Sequence, residues 1–233
     1  MRDDICTIPV SEVFEPKEGC PICRLRDILE DRVLTFILGD AMMEPDVRIK
    51  TNELGFCRDH FGQMLTRRNR LALALMLDSH LGQIEQQIFG EGKPSFLRPG
   101  DGKRLYKTAR LRETCFVCEQ VDQGMARMLD TILRLYENER DFRQLFDAQP
   151  TLCLPHYALL LEGWQKKGYK KFKKQFADSC ASIAGAAVKE LHKDVRHFCD
   201  MFDYRNNVEG ADWGNSKDSI ERSVWWLTSR GVK

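Results

Sequence analysis

The 233-residue chain has no apolar run approaching the ~20 residues that a membrane-crossing helix needs. Its opening stretch, MRDDICTIPVSEVFEPKEG, shows no basic segment followed by an apolar one. No export signal is visible, and the expected compartment is the cytoplasm. An excess of either charge is lacking too. Lys and Arg number 36 against 35 Asp and Glu, a net charge of +1. That balance excludes a generally polybasic nucleic-acid or membrane binder, though not a local patch. Alternating strand patterns and turn-rich hairpin signals are scarce. No G-x-S-x-G, P-loop, GxGxxG or HExxH motif occurs, so no catalytic constellation is read and an enzyme is not expected. What is present is an ordinary globular balance, 42% hydrophobic and 30% charged. The length suits one large domain or two small ones.

Cysteine is the residue in surplus. Nine are present: Cys6, Cys20, Cys23, Cys57, Cys115, Cys118, Cys153, Cys180 and Cys199. In a reducing compartment disulfides are rare, and clustered cysteines more often hold metal. An odd count also suits a closed disulfide framework poorly. Spacing sharpens the reading. Cys20-Pro-Ile-Cys23 and Cys115-Phe-Val-Cys118 are CxxC pairs, and Cys57-Arg-Asp-His60 and Cys153-Leu-Pro-His156 are CxxH pairs.

These pairs sit in an internal repeat. An offset of 95 aligns Cys20 with Cys115, Cys23 with Cys118, Asp27 with Asp122, Leu34 with Leu129 and Ile37 with Ile132. One inserted residue moves the offset to 96, which aligns Cys57 with Cys153, His60 with His156 and Leu65 with Leu161. The pattern reads as a duplication. After Cys23, apolar residues at Leu25, Ile28, Leu29, Val33, Phe36 and Ile37 follow helical spacing. After Cys118, Val121, Met125, Met128, Leu129, Ile132 and Leu135 do the same. A short helix is expected over Val47–Leu54, and one long helix from Phe56 to Gly90. Its counterpart runs from Leu152 to Tyr204 with breaks near Gly168 and Gly185. The fold class is therefore all-α, with two pseudo-symmetric helical units and a C-terminal tail. The boundaries read from the sequence are 15–90 for the first unit, a Gly- and Pro-rich linker over 91–112, 113–204 for the second unit, and a tail over 205–233.

The chemistry follows from the ligand types. A CxxC turn brings two sulfurs onto one ion at ~2.3 Å, and a CxxH opening a helix puts sulfur and imidazole on one face. Three thiolates and a neutral imidazole close a tetrahedral Cys3His shell, a structural zinc set with no open position for substrate. The expected ligands are Cys20, Cys23, Cys57 and His60 for one ion, and Cys115, Cys118, Cys153 and His156 for the other. Near-equal gaps of 33 and 34 residues between CxxC and CxxH favour such local sites. Exchange, with Cys20 and Cys23 joining Cys153 and His156, is the alternative. With zinc each site carries −1, which Arg24, Arg26 and Arg58 could offset. Two Zn2+ ions are the expected cofactors, and iron–sulfur clusters are the alternative.

Other features carry weaker signals. The run from Trp164 to Gln175 interleaves six lysines with aromatics. On a continuous helix Lys166, Lys167, Lys170, Lys171 and Lys174 share one side, a patch for nucleic acid or an acidic partner, or simply a solvated face. His80, His192 and His197 lack partners at ligand spacing. Cys6, Cys180 and Cys199 read as buried or incidental. In the tail, Ser216 or Asp218 is placed to cap a short helix with Ile220, Val224, Trp225 and Leu227 on its apolar face.

The combination of CPIC, GFCRDHF, CFVCE, CLPHYALLLE and a terminal FDYRN…WGNSKDSIERSV segment resembles an uncharacterised bacterial family of unknown function. The likeness runs from about Cys20 to Leu227 and supports both Cys3His sets residue by residue. It implies no established activity. The expected role is a non-enzymatic binding or adaptor protein for a macromolecule, a protein in preference to nucleic acid. No membrane association and no small-molecule substrate are expected. The alternatives are an iron–sulfur or zinc-thiolate redox sensor, and nucleic-acid binding through the 164–175 segment.

Overall fold

A computed structural model describes residues 6–89, 101–203, 205–206 and 211–230. Among them the backbone is helical throughout, with no strand. The helices are α1 (Thr7–Phe14), α2 (Pro21–Leu38), α3 (Pro45–Leu54), α4 (Arg58–Thr66), α5 (Arg70–Ile84), α6 (Asp101–Glu113), α7 (Phe116–Asn138), α8 (Arg140–Asp147), α9 (Leu154–Lys167), α10 (Lys173–Asp200) and α11 (Ser219–Thr228). A 3₁₀ turn covers Asp40–Met43, and a π-helical segment Glu85–Phe89 continues α5. The all-α expectation holds. The order α2 to α5 is repeated by α7 to α10: a long helix opened by CxxC, a short helix, a helix opened by CxxH, and a further long helix.

The chain forms two compact units. One combines Met1–Arg26 with Ala126–Lys233, and the other is Asp27–Met125. The division falls inside α2 and inside α7. The compact units are thus composed differently from the sequence segments 15–90 and 113–204.

In the first unit the core is aromatic. Tyr136 is fully buried, and its ring meets Phe146 at 5.1 Å, Trp164 at 5.8 Å and Phe176 at 4.8 Å, all edge-on. Phe14 of α1 joins through Phe142 and Phe146. Edge-to-face pairs of this kind add about 0.5–1.5 kcal/mol each beyond the area they bury. The Tyr136 hydroxyl reaches Ser179 Oγ at 3.2 Å, so its polar end is satisfied. Gln149 donates to the Phe14 carbonyl at 2.7 Å and ties α1 to the segment that follows α8.

In the second unit Leu34, Ile37, Met64, Leu73 and Met76 form the interior. The Arg48 guanidinium donates to the carbonyls of Met42 and Leu75, fixing α3 against α5. The long helix expected over 56–90 is broken instead at Arg67–Asn69. Asn69 caps α5 by accepting from the Ala72 N–H at 3.2 Å, and its amide donates to the Leu38 carbonyl at 2.6 Å. A side chain that competes for backbone groups in this way stops one helix and starts the next. In the counterpart, Gly168 adopts a left-handed conformation (φ 68°) and ends α9 as expected, while α10 runs unbroken through Gly185.

Of the segment expected as a linker over 91–112, residues 91–100 lie outside the described residues, and Asp101–Glu113 is helix α6. Its Lys, Arg, Leu and Ala are good helix formers, and Arg110 and Arg112 in its last turn suit the helix dipole.

Candidate metal centres

Each CxxC and each CxxH stands at a helix start. Cys20, Cys57, Cys115 and Cys153 immediately precede α2, α4, α7 and α9. Their carbonyls accept the first helical bonds, from Arg24, Phe61, Glu119 and Tyr157 at 2.9–3.2 Å. Each is therefore an N-cap, and neither Cys57 nor Cys153 spends its sulfur on capping. The second ligand of each pair falls at the third helical position, one turn on, beside the first. Proline at Pro21 and Pro155 suits the first turn, where a missing N–H costs nothing.

The second unit brings a CxxC and a CxxH together through one backbone bond. Phe116 N–H donates to the Gly55 carbonyl at 2.9 Å, which sets Cys115 next to Cys57. Gly55 has φ 60°, a conformation that favours glycine. Phe56 packs edge-on against both Phe61 and Phe116.

The pairing differs from the local one expected. Cys20, Cys23, Cys153 and His156 converge in the first unit, and Cys57, His60, Cys115 and Cys118 in the second. In each set the four donor atoms lie within 4.8 Å of one another. Each centre thus joins the CxxC of one repeat to the CxxH of the other, the exchange arrangement. At 1.5 Å per residue, α2 carries the chain about 27 Å from its CxxC, and the CxxH that follows α3 meets the CxxC of the other repeat instead.

The geometry is that of one ion per set. A tetrahedral centre with sulfur at ~2.3 Å and nitrogen at ~2.05 Å separates S from S by about 3.8 Å and S from N by about 3.6 Å. In the first unit Cys23 Sγ lies 3.6 Å from Cys153 Sγ. His156 Nδ1 stands 3.0, 3.3 and 3.6 Å from Cys153, Cys23 and Cys20. In the second, Cys57 Sγ lies 4.0 Å from Cys118 Sγ. His60 Nδ1 stands 3.1, 3.2 and 3.5 Å from Cys57, Cys115 and Cys118. Two Cys3His-type sites able to hold a metal ion are therefore present.

Their electrostatics differ. In the first unit all four ligands are buried, whereas Cys57 and Cys118 of the second are half-buried. Hydrogen bonds from Cys153 and Cys23 hold the Cys20 thiol far below its ordinary range. Cys153 and Cys20 together push Cys23 far up. Burial opposes the Cys115 thiolate, yet the His60 ring and the backbone N–H groups of Cys118 and Cys57 bring it down to about 6. Cys118 is pushed up to about 12, by burial and then by the charge of Cys115 and Cys57. Three sulfurs so close do not all ionise alone, and a divalent ion is what lets them. The helix starts help, because each directs free N–H groups at the sulfurs.

Sequence reasoning missed one residue of the second centre. Glu30 Oε1 accepts from His60 Nε2 at 2.8 Å. This bond puts the ring proton on Nε2 and leaves Nδ1 to face the sulfurs. Burial disfavours charge on His60, but Cys115 and Glu30 outweigh it and push the imidazole up to about 10. The signal was faint, since Glu30 lies on α2 and its own CxxC belongs to the other centre. Of the arginines expected to offset charge, Arg24 donates to the Val13 carbonyl at 2.5 Å.

A family model described as "Family of unknown function (DUF6062)" matches residues 1–233. The chain belongs to this family. No curated protein and no solved structure matches it.

In this family member the lysine run is not one helical face. Lys166 and Lys167 end α9, Lys170 and Lys171 lie in the turn, and Lys174 opens α10. All five are exposed, and Lys167 pairs with Asp130. The turn after Gly168 splits the stripe that a continuous helix would have made. Among the described residues no third ligand group forms. His80 is half-buried, His192 is exposed, and His197 Nε2 lies 3.0 Å from the Asp212 carbonyl. Cys6 and Cys180 are buried and Cys199 is exposed. In the tail, Trp226 and Ser219 are the buried residues of α11, while Ile220 and Leu227 are exposed. Asp218 precedes α11 but uses its carboxylate to pair with Arg222, not to cap. Among the described residues no helix is long and apolar enough to cross a membrane.

Proposed function

We propose that the protein is a zinc-binding helical adaptor with two structural Cys3His centres. One observation carries the reading. Four donors close around each centre at the edge lengths of a single tetrahedral ion, and two helix starts supply them. A complete shell leaves no position for substrate, so the ion holds structure and does not perform chemistry. Zinc is favoured over an iron–sulfur cluster by compactness, because a cluster spreads its ligands over several irons and these donors stay within 4.8 Å. Free thiolates of this kind need a reducing compartment, which supports the cytoplasm.

The adaptor role rests on surface character. Phe36, Met43, Leu65 and Leu71 are exposed on the second unit, and Ile8, Phe202 and Leu227 on the first. Exposed apolar side chains in this number suit a protein partner. The lysines from Lys166 to Lys174 are a lesser candidate surface, since the turn divides them. The matching order of α2–α5 and α7–α10 supports an origin by duplication.

The test is elemental analysis of protein purified without oxygen, with its visible spectrum. Two zinc per colourless chain is the expected result. Iron with sulfide and a brown absorbing sample overturns the zinc reading. A colourless chain free of bound metal overturns the metal reading as a whole.

A further inference from the structure

The two centres share a ligand set but not an exposure. In the first unit Cys20, Cys23, Cys153 and His156 are all buried, with Cys20 and Cys153 fully shielded. In the second, Cys115 and His60 are buried while Cys57 and Cys118 are half-buried. The sulfurs of these two half-buried residues lie 4.0 Å apart. Thiolate oxidation is selected by accessibility, and a second thiolate close by resolves the first product. One centre has both features and the other lacks the first.

We propose that the second-unit centre is a redox-responsive metal site, in which Cys57 and Cys118 close a disulfide and release the ion, while the first-unit centre stays loaded. The inference rests on the zinc reading above. The oxidant is a peroxide. The sulfur of one half-buried thiolate attacks a peroxide oxygen, the O–O bond breaks, hydroxide leaves, and a sulfenic acid forms. The facing thiolate attacks that sulfur, the S–O bond breaks, and a second hydroxide leaves with the disulfide formed. In sum, two thiolates, one hydrogen peroxide and two protons give one disulfide and two waters, and two electrons pass from sulfur to peroxide. The sulfurs close from 4.0 Å to about 2.05 Å, a movement that the half-buried positions of both residues allow. The ion keeps only Cys115 and His60, half its shell, and departs. Cys57 and Cys115 cap α4 and α7, so its departure unclamps those two helix starts. Reduction and added zinc reverse the change.

The experiment uses the full zinc-loaded chain. Hydrogen peroxide is titrated in, released zinc is followed with a chromophoric chelator, and cysteines are mapped by alkylation and peptide mass. One zinc per chain is expected to leave first, together with a Cys57–Cys118 cross-link and with Cys20, Cys23 and Cys153 still reduced. Simultaneous release of both ions, earlier oxidation of Cys20, Cys23 or Cys153, or a cross-link through Cys115 overturns the inference. A two-zinc chain that releases nothing until it unfolds also overturns it and leaves the zinc reading standing. A chain that purifies without metal refutes the zinc reading before peroxide is added.

Discussion

The exchanged pairing makes opposite forecasts for two double variants. Consider Cys20→Ala with Cys153→Ala, and Cys20→Ala with Cys57→Ala. With Cys20 and Cys153 at one centre, the first double variant strips two ligands from the first unit and leaves the second unit whole. The second double variant takes one ligand from each centre. Apparent binding of a structural zinc is worth ~10–16 kcal/mol over four donors. Removing two donors from one centre therefore costs roughly 5–8 kcal/mol, at least a thousandfold in affinity. That centre empties on dialysis. The expected metal content is one zinc per chain for Cys20/Cys153, with the remaining ion as tightly held as in the parent. For Cys20/Cys57 both ions weaken together. Elemental analysis after dialysis, followed by competition with a chelator of known affinity, reads both outcomes. A Cys20/Cys153 variant that loses both ions, beside a Cys20/Cys57 variant that keeps one tight ion, would refute the exchanged pairing and restore sites local to each repeat.

Three further outcomes are expected. Glu30→Gln should weaken the second-unit ion by about 10–100-fold and leave the other unchanged, since the ligand that Glu30 orients, His60, belongs to the second centre; chelator competition with equal loss at both centres would contradict this. Gly55→Ala should destabilise the second unit by about 1–2 kcal/mol, because φ 60° disfavours a side chain and the added carbon would meet His80 Nε2 at 3.4 Å; denaturant unfolding checks it. Burial pushes the Cys180 thiol up from 9.0 to about 12, so the unfolded chain loses that proton first as pH rises. Stability from this group is complete below pH 9 and falls between about pH 9 and 12, by roughly 1.4 kcal/mol per pH unit. Cys180→Ala should flatten that slope in urea unfolding series taken from pH 8 to 10, and an unchanged slope would show the thiol is not responsible.

Much of the architecture was legible in the residues. Periodicity after Cys23 and Cys118 marked α2 and α7, and ligand type with spacing picked out the eight residues that gather in the two Cys3His-type clusters. The pairing was not legible, because near-equal gaps describe distance along the chain and not the direction of rigid helices. An 18-residue helix followed by a 10-residue one carries the chain where their packing directs it, and residue spacing does not disclose that direction. Asn69 was hidden among arginines, themselves good helix formers, between two apolar helical stretches, although its double role as cap and donor breaks the helix there. Helix α6 was obscured by the glycines and prolines just before it. The lysine stripe was read on a continuous helix, and one left-handed glycine, Gly168, was enough to dissolve it.

Exchange of partners also changes what an ion can stabilise. A site local to one repeat would close a loop of little more than 30 residues, whereas the first-unit centre bridges Cys23 to Cys153, 130 positions apart. The second bridges Cys57 to Cys118, 61 apart. Loop-closure entropy grows as the logarithm of length, so the longer bridge costs only about 0.7 kcal/mol more to close than the shorter. An ion at the first-unit centre would fasten the N-terminal segment through Cys20 to Cys153 and His156. The segment from α1 to Cys20 is also held by the Phe14 ring contacts, the Gln149 bond and the Arg24 bond to the Val13 carbonyl. The ligands of the long bridge are all buried, whereas two ligands of the short bridge, Cys57 and Cys118, are half-buried, so an oxidant would reach the short bridge first.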